Sequence, residues 1–86
     1  MTLEEMFALA AARKAAPEPE GSTGTLLAAG VDAIGKKLLE EAAESWIAAR
    51  HETSEQVALE LSQVLYYVAL LATRAGVGLD ELYEQL

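Results

Sequence analysis

Two short stretches of this chain carry carboxylates at helical spacing. Lys36-Lys37-Leu38-Leu39-Glu40-Glu41-Ala42-Ala43-Glu44 holds one set, and Glu60-Leu61-Ser62-Gln63 holds another carboxylate beside an amide. Residues three apart on a helix are neighbours, so Glu41 shares a face with Glu44, and Glu60 shares one with Gln63. If the two pairs face each other, four oxygen-bearing side chains converge on one point. Such a point suits Mg²⁺, a hard cation that takes oxygen ligands and keeps several waters. A water on that ion is a candidate nucleophile at phosphorus.

Charge gives this reading a second reason. The 86 residues carry 14 Asp+Glu against 6 Lys+Arg, a net charge of −8. A surface this acidic repels nucleic acid and bare polyphosphate, so phosphate chemistry here needs a divalent cation as intermediary. Glu-rich turns beside lysines are also common as solvated faces with pairs such as Lys37–Glu41, and spacing alone leaves that alternative open. Two features favour a site. Glu60 and Gln63 lie in the least polar helix, and Ala42, Ala43, Ala48 and Ala49 slim the other helix as the floor of a cleft would require.

Four helices are expected to position these groups. Thr2-Leu3-Glu4-Glu5 reads as a capping box, followed by an apolar stripe of Leu3, Met6, Leu9 and Ala10, with Pro17 and Pro19 as the stop. Residues 17–25 are rich in Pro, Gly, Ser and Thr and read as a loop. A second helix is expected from about Leu26 to Arg50, with Leu27, Val31, Ile34 and Leu38 on its apolar face. Gly30 and Gly35 weaken it by about 1 kcal/mol each relative to Ala and suggest close helix packing. Thr53-Ser54-Glu55-Gln56 repeats the capping-box pattern and opens a third helix, which ends at Gly76 and Gly78. Leu79, Leu82, Tyr83 and Leu86 suggest a short fourth one. The break at 51–53 implies that the second and third helices form an antiparallel hairpin. Glu44 and Glu60 lie at similar distances from that break, so the carboxylate pairs fall at similar heights.

The expected fold is therefore all-α, a four-helix chain around a central antiparallel helix hairpin, with residues 1–86 forming a single domain. The third helix is apolar on every side from Val64 to Ala72, and such a helix must be covered all round. A chain this short buries only about 60–65% of the surface its unfolded form exposes. A homodimer assembled as a helix bundle meets both constraints. The same run is half the length of a membrane span, so no membrane partner is expected, and none is expected among nucleic acids. The chain has no cysteine and one histidine, which excludes disulfides and a zinc site built on those residues. The N-terminus lacks the basic and apolar regions of a signal peptide, so a cytoplasmic location is expected.

The pattern Glu40-Glu41-Ala42-Ala43-Glu44 followed by Glu60-Leu61-Ser62-Gln63 resembles the metal motif of the all-α nucleotide pyrophosphohydrolases, with Gln63 where Asp is usual. Over nearly the whole chain the resemblance is to phosphoribosyl-ATP pyrophosphohydrolases. It is carried by Arg13-Lys14, the Gly21-Ser22-Thr23 loop, Gly30 followed by Ile34, the Lys37 to Glu44 segment, Leu65-Tyr66 and Gly76-x-x-Leu79-x-x-Leu82. Of the family's loop only Thr23 carries over cleanly.

The resemblance implies hydrolysis of phosphoribosyl-ATP to phosphoribosyl-AMP and pyrophosphate, the second step of histidine biosynthesis, by a free-standing form without the cyclohydrolase that acts next. It implies that Glu41, Glu44 and Glu60 bind Mg²⁺ with Gln63 as a possible fourth ligand. Glu40 is assigned either to a second ion or to orienting a water. Lys37 would meet phosphate oxygens as a point charge. Arg13, Lys14 and Thr23 are assigned to the substrate's phosphates. Tyr66 and Tyr67 are read as core or dimer contacts before base-stacking groups, and Trp46 and His51 as structural. Two other functions fit the same residues: a house-cleaning nucleoside triphosphate pyrophosphohydrolase of the same superfamily, and a non-catalytic helical dimer module with a solvated acidic face.

Overall fold

The helix starts expected near Leu3, Ser54 and Leu79 are present in the computed structural model, which describes residues 1–15 and 22–86. Thr2 and Glu5 exchange the two bonds of a capping box: the Thr2 amide donates to Glu5 Oε1 at 3.0 Å, and the Glu5 amide donates to Thr2 Oγ1 at 3.1 Å. Helix α1 follows as Leu3–Ala15. Then come α2 Ser22–Ala29, α3 Val31–His51, α4 Ser54–Arg74 and α5 Leu79–Gln85. No strand occurs among the described residues.

The described chain thus has five helices where four are expected. Ser22–Ala29 is helical, where a loop is expected as far as Thr25; the rest of that expected loop, 17–21, lies outside the described residues. The extra boundary is at Gly30, whose backbone has φ 104° and ψ 179°. Only glycine adopts that conformation without strain of order 1–3 kcal/mol, and it turns the chain sharply between α2 and α3. Gly35, by contrast, lies inside α3 with nothing within 4 Å of where a Cβ would stand, so it marks no close packing.

Helices α3 and α4 are the longest, at 21 residues each, and are joined only by Glu52 and Thr53. They pack along one another, with α1 and α2 laid against α4. Thr53 caps α4 by accepting from the Gln56 amide at 3.2 Å. At the other end the Val77 amide reaches Ala72 O at 2.7 Å and Gly76 has φ 80°, a Schellman-type stop as the glycines imply. Helix α5 is tied back to α1 by Tyr83, whose hydroxyl donates to Glu4 Oε1 at 3.1 Å.

The core is small. Ala10, Leu27, Ile34 and Leu70, one from each of α1 to α4, form its buried centre, with Leu26, Tyr66, Tyr67 and Leu71 packed against it. Tyr66 and Tyr67 meet edge to face with ring centroids 5.1 Å apart, as core residues do. Of the four alanines expected to slim α3, only Ala48 is buried; Ala42, Ala43 and Ala49 are exposed. Large apolar side chains remain on the outside, among them Leu39 at 73% and Trp46 at 69% exposure. By length and composition alone α4 could cross a bilayer, but in this fold it is the strut on which α1, α2 and α3 pack.

Candidate metal centre

Helix α3 supplies Glu41 and Glu44 three residues apart, and α4 supplies Glu60 from across the hairpin. The hairpin brings all three together: one carboxylate oxygen from each lies within 4.8 Å of the others. Two oxygens on opposite sides of a hard cation at about 2.1–2.4 Å are about 4.2–4.8 Å apart, so the spread is one such an ion can span. Glu44 is exposed while Glu41 and Glu60 are partly buried, so the point opens to solvent on one side.

Glu41 shows that the cluster is unbalanced by itself. Its Oε2 is buried and has no hydrogen-bond partner among the described residues. Burial pushes its carboxyl up to about 7, with a hydrogen bond to Glu60 and the charge of Glu44 adding to the shift. A buried carboxylate oxygen left unpaired costs about 1–3 kcal/mol or more, which structures rarely tolerate without a ligand or a proton. The donor set, three carboxylates and no nitrogen or sulfur, fits a hard divalent cation. Tyr67 lies close enough that burial, then the Glu41 charge, raises its hydroxyl above the ordinary range.

Gln63 is half-buried one turn along α4 from Glu60. Lys37 pairs with Glu40 at 3.8 Å, not with Glu41. Both members are about half exposed, so the pair is worth at most about 1 kcal/mol and leaves the ammonium available to another anion. The Thr23 hydroxyl is hydrogen-bonded to the Tyr66 hydroxyl, linking α2 to α4. Arg13 and Lys14 sit away from the carboxylates, in a cleft between α1 and the ends of α2 and α4.

One residue of the cluster's surroundings is missed by the sequence reading. Gln56, taken as the second half of a capping box, donates instead from Nε2 to Glu60 Oε1 at 3.2 Å. The i,i+4 spacing of Gln56 and Glu60 was the available signal.

An all-helical fold whose two longest helices set three carboxylates around one point is the architecture expected of an all-α pyrophosphohydrolase. The sequence model of the phosphoribosyl-ATP pyrophosphohydrolase family matches residues 3–86, nearly the whole chain, and the protein belongs to that family. It is therefore a hydrolase of a family that typically works with a divalent metal.

Proposed function

We propose that this protein hydrolyses phosphoribosyl-ATP to phosphoribosyl-AMP and pyrophosphate, the second step of histidine biosynthesis, with Mg²⁺ held by Glu41, Glu44 and Glu60. The observation that carries the reading is the convergence of these carboxylates, one of which, Glu41, has a buried oxygen without a partner among the described residues, in a chain matched to the family over residues 3–86. A divalent ion there supplies the positive charge that lets an acidic chain accept a triphosphate and that lowers the proton affinity of water. Glu41, with its buried oxygen, is the ligand with most to gain from such an ion. Gln63 offers a neutral fourth oxygen. Lys37, only loosely held by Glu40, is positioned to turn to a phosphate oxygen and leave Glu40 to orient a water. The expected setting is the cytoplasm, with residues 1–86 acting as one domain.

The proposed unit is a homodimer. Leu39 and Trp46 on α3 and Leu61 and Leu65 on α4 are apolar and exposed on one protomer. A second copy covering them would complete a helix bundle around the central hairpin.

The reaction is tested by following pyrophosphate release from phosphoribosyl-ATP, ATP and dCTP, with and without Mg²⁺. Turnover of phosphoribosyl-ATP, preferred over the other two and lost without Mg²⁺, is expected. Equal or better turnover of the free triphosphates would point to a house-cleaning enzyme. No turnover and no ion binding would leave a helical dimer module.

A further inference from the structure

A second polar feature lies at the opposite end of α4. Arg13, Lys14, Gly24, Leu27, Ala28 and Arg74 line a cleft of about 240 Å³ between α1, α2 and α4. The chain has 6 Lys+Arg in all, and three of them meet here, with no carboxylate among the described residues of the lining. In a protein of net charge −8 this is a local reversal of sign. Two of the cations are set in place by backbone carbonyls. Lys14 Nζ donates to Thr73 O at 3.1 Å, and Arg74 Nε donates to Leu27 O at 3.1 Å. The Arg74 bond uses Nε alone, and its terminal amino groups have no hydrogen bond among the described residues. A guanidinium fixed by Nε presents that edge as a fork suited to a phosphate.

All three cations also stand in the last turns of α1 and α4, where positive charge complements the helix dipole. That role alone does not explain why two separate helices bring them to one concavity. The cleft is smaller than the roughly 300–1,000 Å³ of pockets that enclose a whole drug-sized ligand, so it suits one end of a longer molecule.

Its position says which end. Arg74 follows Glu60 by 14 residues on the same helix, which at ideal helical geometry is a rise of about 21 Å and a turn to within about 40° of the same face. Phosphoribosyl-ATP has two anionic ends, the triphosphate and the phosphate monoester of its second ribose. The carboxylate cluster repels the monoester, and the basic cleft attracts it.

We infer that the Arg13–Lys14–Arg74 cleft binds a sugar phosphate monoester, the distal ribosyl phosphate of the substrate proposed above, and that it thereby separates that substrate from free nucleoside triphosphates. The inference rests on the proposed function for the identity of the ligand. The binding of a sugar phosphate can be tested without it.

Ribose 5-phosphate, titrated into the full-length protein at millimolar concentration, should shift the amide resonances of residues 13, 14 and 74, while ribose should not. Arg74→Gln and Lys14→Gln should each weaken that binding and raise KM for phosphoribosyl-ATP about 10- to 100-fold, the range for a lost charged hydrogen bond, with a smaller change in kcat. Arg74→Lys should recover part of the loss. Removing the distal phosphate from the substrate should cost wild type a similar factor, and Arg74→Gln should then add nothing. Absence of shifts, or an unchanged KM in both glutamine variants, overturns the inference. A KM effect that persists on the dephosphorylated substrate also overturns it, because the role is then structural. Ribose 5-phosphate binding without phosphoribosyl-ATP turnover would instead overturn the proposed reaction and leave the cleft standing.

Discussion

Gln56 holds Glu60. Its side-chain amide donates to Glu60 Oε1 at 3.2 Å from one turn earlier on α4, which fixes the orientation of a carboxylate that stands with Glu41 and Glu44 around one point. Partners of this kind typically change metal affinity 10- to 100-fold when removed. Gln56→Met keeps length and helix propensity but removes the donor. The Mg²⁺ concentration for half-maximal activity should rise about 10-fold with the melting temperature little changed. An unchanged Mg²⁺ requirement would mean that Glu60 needs no support.

The Glu41 carboxyl gives the metal-free protein a defined pH dependence. Its native value is pushed from 4.5 up to about 7 by burial and its acidic neighbours. Between those values the native state holds a proton that the unfolded chain has lost. The stability this proton confers is present below about pH 4.5 and is lost as pH rises through about 7. Thermal melts without metal should show that decline. Divalent-ion binding should displace the proton, so calorimetry near pH 6 in buffers of different ionisation enthalpy should report proton release that fades above pH 8. Proton uptake, or metal-free stability that rises across the window, would contradict the arrangement.

Gln63 supplies a neutral oxygen where an acidic one is usual. If it lines the site, Gln63→Asp should bind free Mg²⁺ more tightly by calorimetry, and turnover should persist at lower Mg²⁺. Unchanged affinity with a lowered melting temperature would make Gln63 structural, with water as the fourth ligand.

The proposed dimer is tested at exposed apolar residues. Leu70 is 1% exposed within one protomer, so substituting it breaks the fold before it reports on assembly. Trp46→Glu and Leu39→Glu lie outside that core. Sedimentation of wild type should give about twice 9.2 kDa, and the double variant should shift toward 9.2 kDa while keeping its helicity. A monomeric wild type with a cooperative melt would contradict the dimer.

The carboxylate cluster was legible because its two determinants are local. The i,i+3 spacing fixes each face, and the short break before Thr53 fixes the register of the hairpin. The α2–α3 boundary was not legible, because Leu27, Val31 and Ile34 continue a helical period across Gly30. Sequence reads that glycine as a small propensity penalty and cannot see its positive φ. Gln56 was misassigned for a related reason: the capping pattern has its side-chain oxygen accept from the Thr53 amide, whereas in the fold its side-chain amide donates to the charged Glu60 oxygen at i+4. Arg74 escaped notice because only the packing of α4 on α1 and α2 brings it to Arg13 and Lys14.

The central claim is that Glu41, Glu44 and Glu60 together hold the ion on which hydrolysis depends. Its most direct test is pyrophosphate release from phosphoribosyl-ATP at saturating Mg²⁺ by Glu44→Gln and Glu60→Gln, which keep size and remove charge. Activity is predicted to fall at least about 100-fold in each, the scale of losing one electrostatic contact to the reacting centre, with helicity by circular dichroism unchanged. Near wild-type turnover in either variant would contradict it.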